Sequence, residues 1–131
     1  MSNTEVVRAL YAAFAKGDIP AALATMAPDI VWNEAENYPY ADRNPHIGPE
    51  GVLHGVFARI GADWDNFTAA SDEIIDAGET IVSLGHYGGT FKATGKPMRA
   101  QFAHVFRVKG GRITGFQQYA DTLGTAIAMG R

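Results

Sequence analysis

Two residues of this chain combine an ionisable side chain with apolar neighbours, and both suit proton transfer. Glu34 follows Trp32 by two residues, and alternate residues of a strand lie on one face. His104 lies between Phe102 and Phe106 at the same spacing. Because an apolar environment raises the pKa of a carboxyl group, Glu34 is predicted to be a general base near neutral pH. His104 is predicted to donate a hydrogen bond to a substrate oxygen, or to act as an acid–base partner.

A long β-hairpin over residues 98–122 is predicted to position His104. Its turn falls at the glycine pair 110–111, which favours a tight hairpin turn. Ile113 and Phe116 are three residues apart, so a bulge at Gly115 is needed to keep them on one face. That face is predicted to line a pocket, with His104 and Gln118 as its polar points. The bulge makes the cross-strand partners Val108 with Ile113, Phe106 with Phe116, His104 with Gln118, and Phe102 with Ala120.

Each of these polar residues also fits a structural role. Glu34 would then lie in water at the end of its strand, and His104 would be a core histidine hydrogen bonded to Gln118. Gln118 is predicted to orient His104 or to contact a ligand. Tyr38 and His46, in a proline-rich loop over residues 37–48, are predicted to close over the pocket mouth. The predicted substrate-binding walls of the pocket are aromatic: Trp32, Tyr87, Phe102, Phe106 and Phe116.

The elements that must hold these residues are predicted in the order helix, helix, strand, helix and four strands. Ser2 and Glu5 have capping-box spacing, and the helix that they open ends at Gly17. Residues 124–131 are predicted to be a tail with few contacts. The order predicts an α+β fold in which three helices cover a curved antiparallel sheet. The other elements are a helix after Asp18, a strand at 29–36, a helix after Pro49, and strands at 67–76 and 80–91.

Composition excludes several classes of function. The 131 residues predict one domain, spanning residues 1–131, with a net charge of −3 and no nucleic-acid-binding pattern. The chain has no cysteine, its four histidines lack paired ligand spacing, and no glycine-rich phosphate loop follows a strand, so neither a metal nor another cofactor is predicted. We find no signal peptide and no apolar run of about 20 residues, so we expect a cytoplasmic protein without a membrane partner.

Three stretches carry a resemblance to a known family: LYAAFAKGDIPAALATMAPDIVW, IGPEGVLHGVF and AHVFRVKGGRITGFQQYADT. Together they make nearly the whole chain similar to the SnoaL-like proteins of the nuclear transport factor superfamily, which includes ketosteroid isomerase. The resemblance implies a cone-shaped, cystatin-like α+β barrel with a deep apolar pocket. It also implies a homodimer through the sheet face that carries Ala103, Val105 and Arg107.

The resemblance assigns roles to individual positions. The proton-shuttling carboxylate of ketosteroid isomerase corresponds to Glu34, and its protonated oxyanion-hole acid corresponds to His104. Its oxyanion-hole tyrosine corresponds to Leu10, while Tyr11 is about 100° further round the helix and is expected to point elsewhere. SnoaL-type cyclases use an acidic residue that matches Asp121, which makes Asp121 a third catalytic candidate. The alternative is that Asp121 fixes the C-terminal turn.

These observations predict a cofactor-free enzyme that binds a hydrophobic, carbonyl-containing small molecule. Glu34 would move a proton and His104 would stabilise negative charge on the substrate oxygen, in an isomerisation, cyclisation or dehydration. One alternative is a non-catalytic carrier or sensor that uses the same pocket. Another is a scaffold domain whose dimer face matters more than its cavity.

Overall fold

The computed structural model describes residues 1–131 and places helices against one face of a curved six-stranded sheet. The helical elements are α1 (Asn3–Lys16), α2 (Ile19–Leu23), a 3-10 turn (Pro39–Arg43), α3 (Gly48–Val52), a π turn (Leu53–Phe57), α4 (Ala58–Asp63) and α5 (Thr122–Ala128). The strands are β1 (Met26–Asn33), β2 (His46–Ile47), β3 (Trp64–Ala77), β4 (Thr80–Phe91), β5 (Pro97–Lys109) and β6 (Arg112–Ala120). None of the helices has the length and apolar character that crossing a membrane requires.

The strand order is β2-β1-β6-β5-β4-β3. Strands β3 to β6 form the antiparallel meander that the sequence predicts. The sheet is nevertheless mixed, because β1 pairs with β6 in parallel, with Trp32 beside Phe116. No short turn joins β1 to β6, so the residue pattern of β1 contains nothing that sets its direction. The parallel pairing brings the end of β1, and therefore Glu34, beside the strand that carries Gln118.

The central hairpin confirms the predicted register. His104 pairs with Gln118, Phe106 with Phe116, and Phe102 with Ala120. The bulge lies one residue from the predicted glycine, since Arg107 pairs with Gly115 and Val108 with Ile113, which leaves Thr114 as the extra residue. Even positions of β5 are therefore buried and face the helices.

The helices cover the inner face of the sheet as their sequence patterns indicate. In α1, the Ser2 hydroxyl accepts a hydrogen bond from the Glu5 backbone N–H, and Gly17 ends the helix with a φ of 70°. The third predicted helix is formed by α3, the π turn and α4, which follow one another without a gap. At that turn Gly55 packs so closely on His46 that a Cβ would lie 2.2 Å from the imidazole Nδ1.

The C-terminal residues differ from the prediction. Residues 124–131 are not a loose tail, because α5 packs back on the domain and buries Thr125 and Ala128. Asp121 begins this helix by accepting a hydrogen bond from the Gly124 N–H, and the Thr94 hydroxyl donates to the Ala128 carbonyl at 2.6 Å. A helix of seven residues buries too few apolar side chains for its periodicity to be read from sequence.

Candidate functional site

A cavity of about 50 Å³ lies between α1, the π turn and the inner face of the sheet. It can hold a few water molecules or a small organic group, and a larger ligand requires the aromatic walls to move. Both predicted polar points line it, together with Glu34, the loop residue Tyr38 and four of the predicted walls: Trp32, Tyr87, Phe106 and Phe116. The lining residues that the sequence did not indicate are Leu10, Tyr11, Phe14, Val56, Phe57, Ile60, Phe67 and Ala69.

Glu34 lies just beyond β1, in a position fixed through its backbone. Its N–H donates to Asn44 Oδ1 at 3.0 Å, and Asn44 Nδ2 donates to its carbonyl at 2.8 Å. The side chain is 4% exposed and belongs to none of the three ion pairs of the molecule. Burial raises the pKa of Glu34 to about 8, and the nearby Trp32 indole partly opposes that rise. Nε1 of Trp32 is itself buried without a hydrogen-bond acceptor.

This pKa makes Glu34 able to move protons in both directions near neutral pH. At pH 7 most molecules carry the protonated acid, which can donate a proton. The ionised fraction is a stronger base than an exposed glutamate, because a raised pKa means a greater affinity for protons.

His104 has tyrosine hydroxyls against both of its ring nitrogens. The Tyr11 hydroxyl lies 2.6 Å from Nδ1, and the Tyr87 hydroxyl is hydrogen bonded to Nε2. Burial lowers the pKa of His104 to about 3, so the ring is neutral and carries one N–H. It therefore donates to one tyrosine and accepts from the other. The tyrosine that accepts from His104 keeps its own O–H for a further partner.

Gln118 joins this group to the end of β1. Its Oε1 accepts from the Ala35 backbone N–H at 3.0 Å, and its Nε2 donates to the Tyr87 hydroxyl oxygen at 2.9 Å. Because a backbone N–H can only donate, the orientation of the amide group is determined. Gln118 therefore acts on His104 through Tyr87, whereas the sequence suggested a direct hydrogen bond between them. The residue after Glu34 is thereby tied to β6, the strand that pairs with the histidine-bearing β5.

Tyr11 is the functional residue that the sequence analysis placed wrongly. Its ring stacks at 5.9 Å on the His104 ring, with an interplanar angle of 5°. Leu10 and Tyr11 both line the cavity, since the cavity extends across the buried face of α1 and a tyrosine side chain is long enough to reach it. The signal was the position of Tyr11 four residues after Val7 and three before Phe14, on the apolar stripe of the helix.

Three residues predicted for the site lie outside the cavity. Asp121 is exposed and caps α5, which is the structural role that the sequence offered as its alternative. His46 is buried outside the cavity, with its Nε2 3.2 Å from the Tyr40 carbonyl oxygen. Gly55, which packs against the imidazole ring, leaves room for it because it has no side chain. Phe102 lies behind His104, stacked on it at 3.8 Å, and so supports the ring without lining the cavity.

Comparison with known proteins relates the sequence to a family and the fold to solved structures. The SnoaL-like domain model matches residues 7–116. An NTF2-like protein from Burkholderia thailandensis is 37% identical, with a TM-score of 0.93 over 98% of both chains. TerC, co-crystallised with polyporic acid, is 23% identical, with a TM-score of 0.86 over 98% of both chains. IdmH, a candidate polyketide cyclase from Streptomyces antibioticus, is 24% identical, with a TM-score of 0.79 over 98% of both chains. No curated protein sequence matches the chain.

Proposed function

The chain belongs to the SnoaL-like domain family, and we propose that it is an acid–base enzyme that moves a proton on a small hydrophobic carbonyl compound. Isomerisation, cyclisation and dehydration all begin with such a step and need no cofactor. The observation that carries the proposal is the lone carboxyl group of Glu34, buried in an aromatic cavity with a pKa of about 8. An acid with this pKa in a water-poor site suits the removal and return of a proton on carbon.

In the proposed reaction the Glu34 carboxylate removes a proton from the carbon next to the carbonyl group. The C–H electron pair moves into the new carbon–carbon double bond, and negative charge develops on the carbonyl oxygen. Glu34, now protonated, returns the proton to a different carbon in an isomerisation. In a cyclisation the enolate carbon attacks a second carbonyl group of the substrate, and the resulting alkoxide takes the proton from Glu34. In a dehydration the enolate expels a β-hydroxyl group, which takes the Glu34 proton and leaves as water.

The cavity offers a hydrogen-bond donor to the negatively charged substrate oxygen even though His104 does not contact that oxygen itself. One tyrosine hydroxyl remains after His104 has made its two hydrogen bonds, and Tyr11 and Tyr87 both line the cavity. The Trp32 indole N–H does not serve as a donor to the substrate, because it lies beside the Glu34 carboxyl group and favours its ionised form. Since both ring nitrogens of His104 are occupied, we assign it the role of a positioning residue, in place of the direct oxyanion donor that the sequence suggested. Preorganised donors of this kind stabilise enolate-like charge most strongly in a dry site.

Deuterium exchange tests this proposal. Wild type should accelerate incorporation of solvent deuterium next to the carbonyl group of cyclohexanone, a small apolar ketone, as followed by proton NMR. Glu34→Gln keeps the shape but cannot remove a proton, so we expect the catalysed rate to fall by about 100-fold or more. Glu36→Gln, which alters an exposed carboxylate two residues away, is the matched control and should exchange at the wild-type rate. Equal rates in wild type and Glu34→Gln would remove Glu34 from the mechanism.

A carrier or sensor of small apolar molecules is the second candidate. The hydrogen bonds inside the cavity favour this candidate, because most of its polar groups bond to one another and not to a ligand. These bonds connect Gln118, Tyr87, His104 and Tyr11. This candidate predicts that cyclohexanone binds without any exchange of its protons, and that Glu34→Gln leaves that binding unchanged.

We further propose a homodimer through the outer face of the sheet. Val31 and Tyr119 are 41% and 58% exposed there, and they border a surface depression that includes Val105 and Arg107. Apolar and aromatic side chains grouped on one sheet face are typical of subunit interfaces. Sedimentation of wild type at twice the monomer mass, and of Tyr119→Arg as a monomer, is the expected result. A monomeric wild type at micromolar concentration would refute it.

A further inference from the structure

The cavity contains one acid and no basic side chain to neutralise it. Glu34 is its only carboxyl group, and no lysine or arginine lines it. Arg59 forms an ion pair with Asp42 outside the cavity. The Arg59 guanidinium carbon lies 4.9 Å from the centre of the Tyr40 ring. A buried carboxyl group without a partner must stay protonated or acquire a cation from elsewhere.

Aromatic side chains make up most of the lining of the cavity that contains this acid. Trp32 and Phe116 stack with their ring centres 3.7 Å apart, and Phe57 meets the Trp32 ring edge-on at 5.6 Å. Tyr38 and Tyr87 lie 6.4 Å apart and line the same cavity. The face of an aromatic ring carries negative potential and attracts an organic cation, most strongly where water is excluded.

We infer that the cavity binds small alkylammonium ions, with the Glu34 carboxylate as counter-ion and the surrounding rings as an aromatic cage. A methylated ammonium group has the size for a cavity of about 50 Å³. A quaternary ammonium group needs no hydrogen-bond acceptors, so the hydrogen bonds between the tyrosines and His104 can remain intact. An anionic ligand is disfavoured, because no lysine or arginine lines the cavity to neutralise its charge and the Glu34 carboxylate would repel it. This site goes beyond the proposed function, because binding requires no reaction.

Binding of the cation expels the proton of Glu34. The O–H bond of the carboxyl group breaks, the proton passes to the buffer, and the ligand's charge replaces the proton's charge in the cavity. With a pKa of about 8 in the empty protein, nearly one proton per ligand is released at pH 7. The other titratable groups that line the cavity stay neutral, because burial raises the pKa of Tyr11, Tyr38 and Tyr87 and lowers that of His104.

Calorimetry with a matched pair of probes tests the inference. Choline carries a quaternary ammonium group, and its dimethylbutanol isostere replaces that nitrogen by carbon, so the two differ in charge and hardly in shape. Titrations at pH 7 in phosphate and in MOPS, a zwitterionic sulfonate, measure the released protons, because the two buffers differ in ionisation enthalpy. We expect choline to bind at least about tenfold more tightly than the isostere and to release about one proton.

Two variants complete the design. Glu34→Gln should lose both the preference for choline and the proton release, whereas Glu36→Gln should keep both. An affinity for choline no higher than that for the isostere would overturn the inference, as would an affinity for choline unchanged in Glu34→Gln. Proton exchange on cyclohexanone is a separate measurement, so failure of cation binding leaves the proposed enzyme untouched, and failure of the exchange leaves the cation site standing.

Discussion

Replacing Glu34 by glutamine should change how the stability of the protein depends on pH. Burial raises the pKa of Glu34 from 4.5 to about 8. Between these values the native state holds a proton that the unfolded state has released, so the free energy of unfolding decreases as pH rises. The slope is about 1.4 kcal/mol per pH unit, and the interval of 3.5 units gives about 5 kcal/mol in total. Glutamine cannot ionise, so the variant lacks this contribution.

His104 contributes in the opposite direction. Burial lowers its pKa from 6.5 to about 3, so the unfolded state binds a proton that the native state does not, and stability is lost as pH falls through that interval. Between pH 4.5 and 6.5 the two slopes cancel. Above pH 6.5 only the Glu34 slope remains, and over the 1.5 units up to pH 8 wild type should lose about 2 kcal/mol.

Urea unfolding at several pH values measures these slopes. The free energy of unfolding of Glu34→Gln minus that of wild type should grow by about 1.4 kcal/mol per pH unit between pH 4.5 and 8, because the two proteins differ only in Glu34, whereas Glu36→Gln should run parallel to wild type. Parallel curves for wild type and Glu34→Gln from pH 5 to 9 would show that Glu34 titrates normally, and the electrostatic argument for its role would fail.

Two further substitutions test the placement of other residues. Tyr11→Phe removes the partner of His104 Nδ1 from a buried site and should cost about 1–3 kcal/mol in urea unfolding; a variant as stable as wild type would contradict the hydrogen bond. Asp121→Ala should cost about 1 kcal/mol through loss of the α5 cap, with the deuterium-exchange rate unchanged, and a fall in that rate would return Asp121 to the site.

Much of the site follows from the alternation of side chains along the central hairpin. The two-residue spacing around His104 and the broken spacing at Gly115 were sufficient to predict the register that places His104 beside Gln118. The spacing of Glu34 from Trp32 likewise predicted which face of β1 is buried. These features depend on local geometry, which the sequence determines directly.

Long-range packing decided the features that sequence reasoning missed. The hydrogen bond of Tyr11 to His104 depends on how α1 sits across the sheet, which residue spacing within the helix does not determine. His46 lies outside the cavity because its ring occupies the space that a side chain on Gly55 would fill. Gly55 belongs to the π turn, and the residues around His46 in the sequence do not indicate this contact. Asp121 has the side chain of a catalytic acid and the spacing of a helix cap, and the cap became visible only with the fold of the last residues.

The dependence of proton exchange on pH tests the central claim most directly. If Glu34 is the base, the rate at which wild type incorporates deuterium into cyclohexanone should rise with pH and level off with an apparent pKa of about 8, and this rise should be absent from Glu34→Gln. A rate that is constant from pH 6 to 9, or one that shows the same rise in Glu34→Gln, would contradict the account.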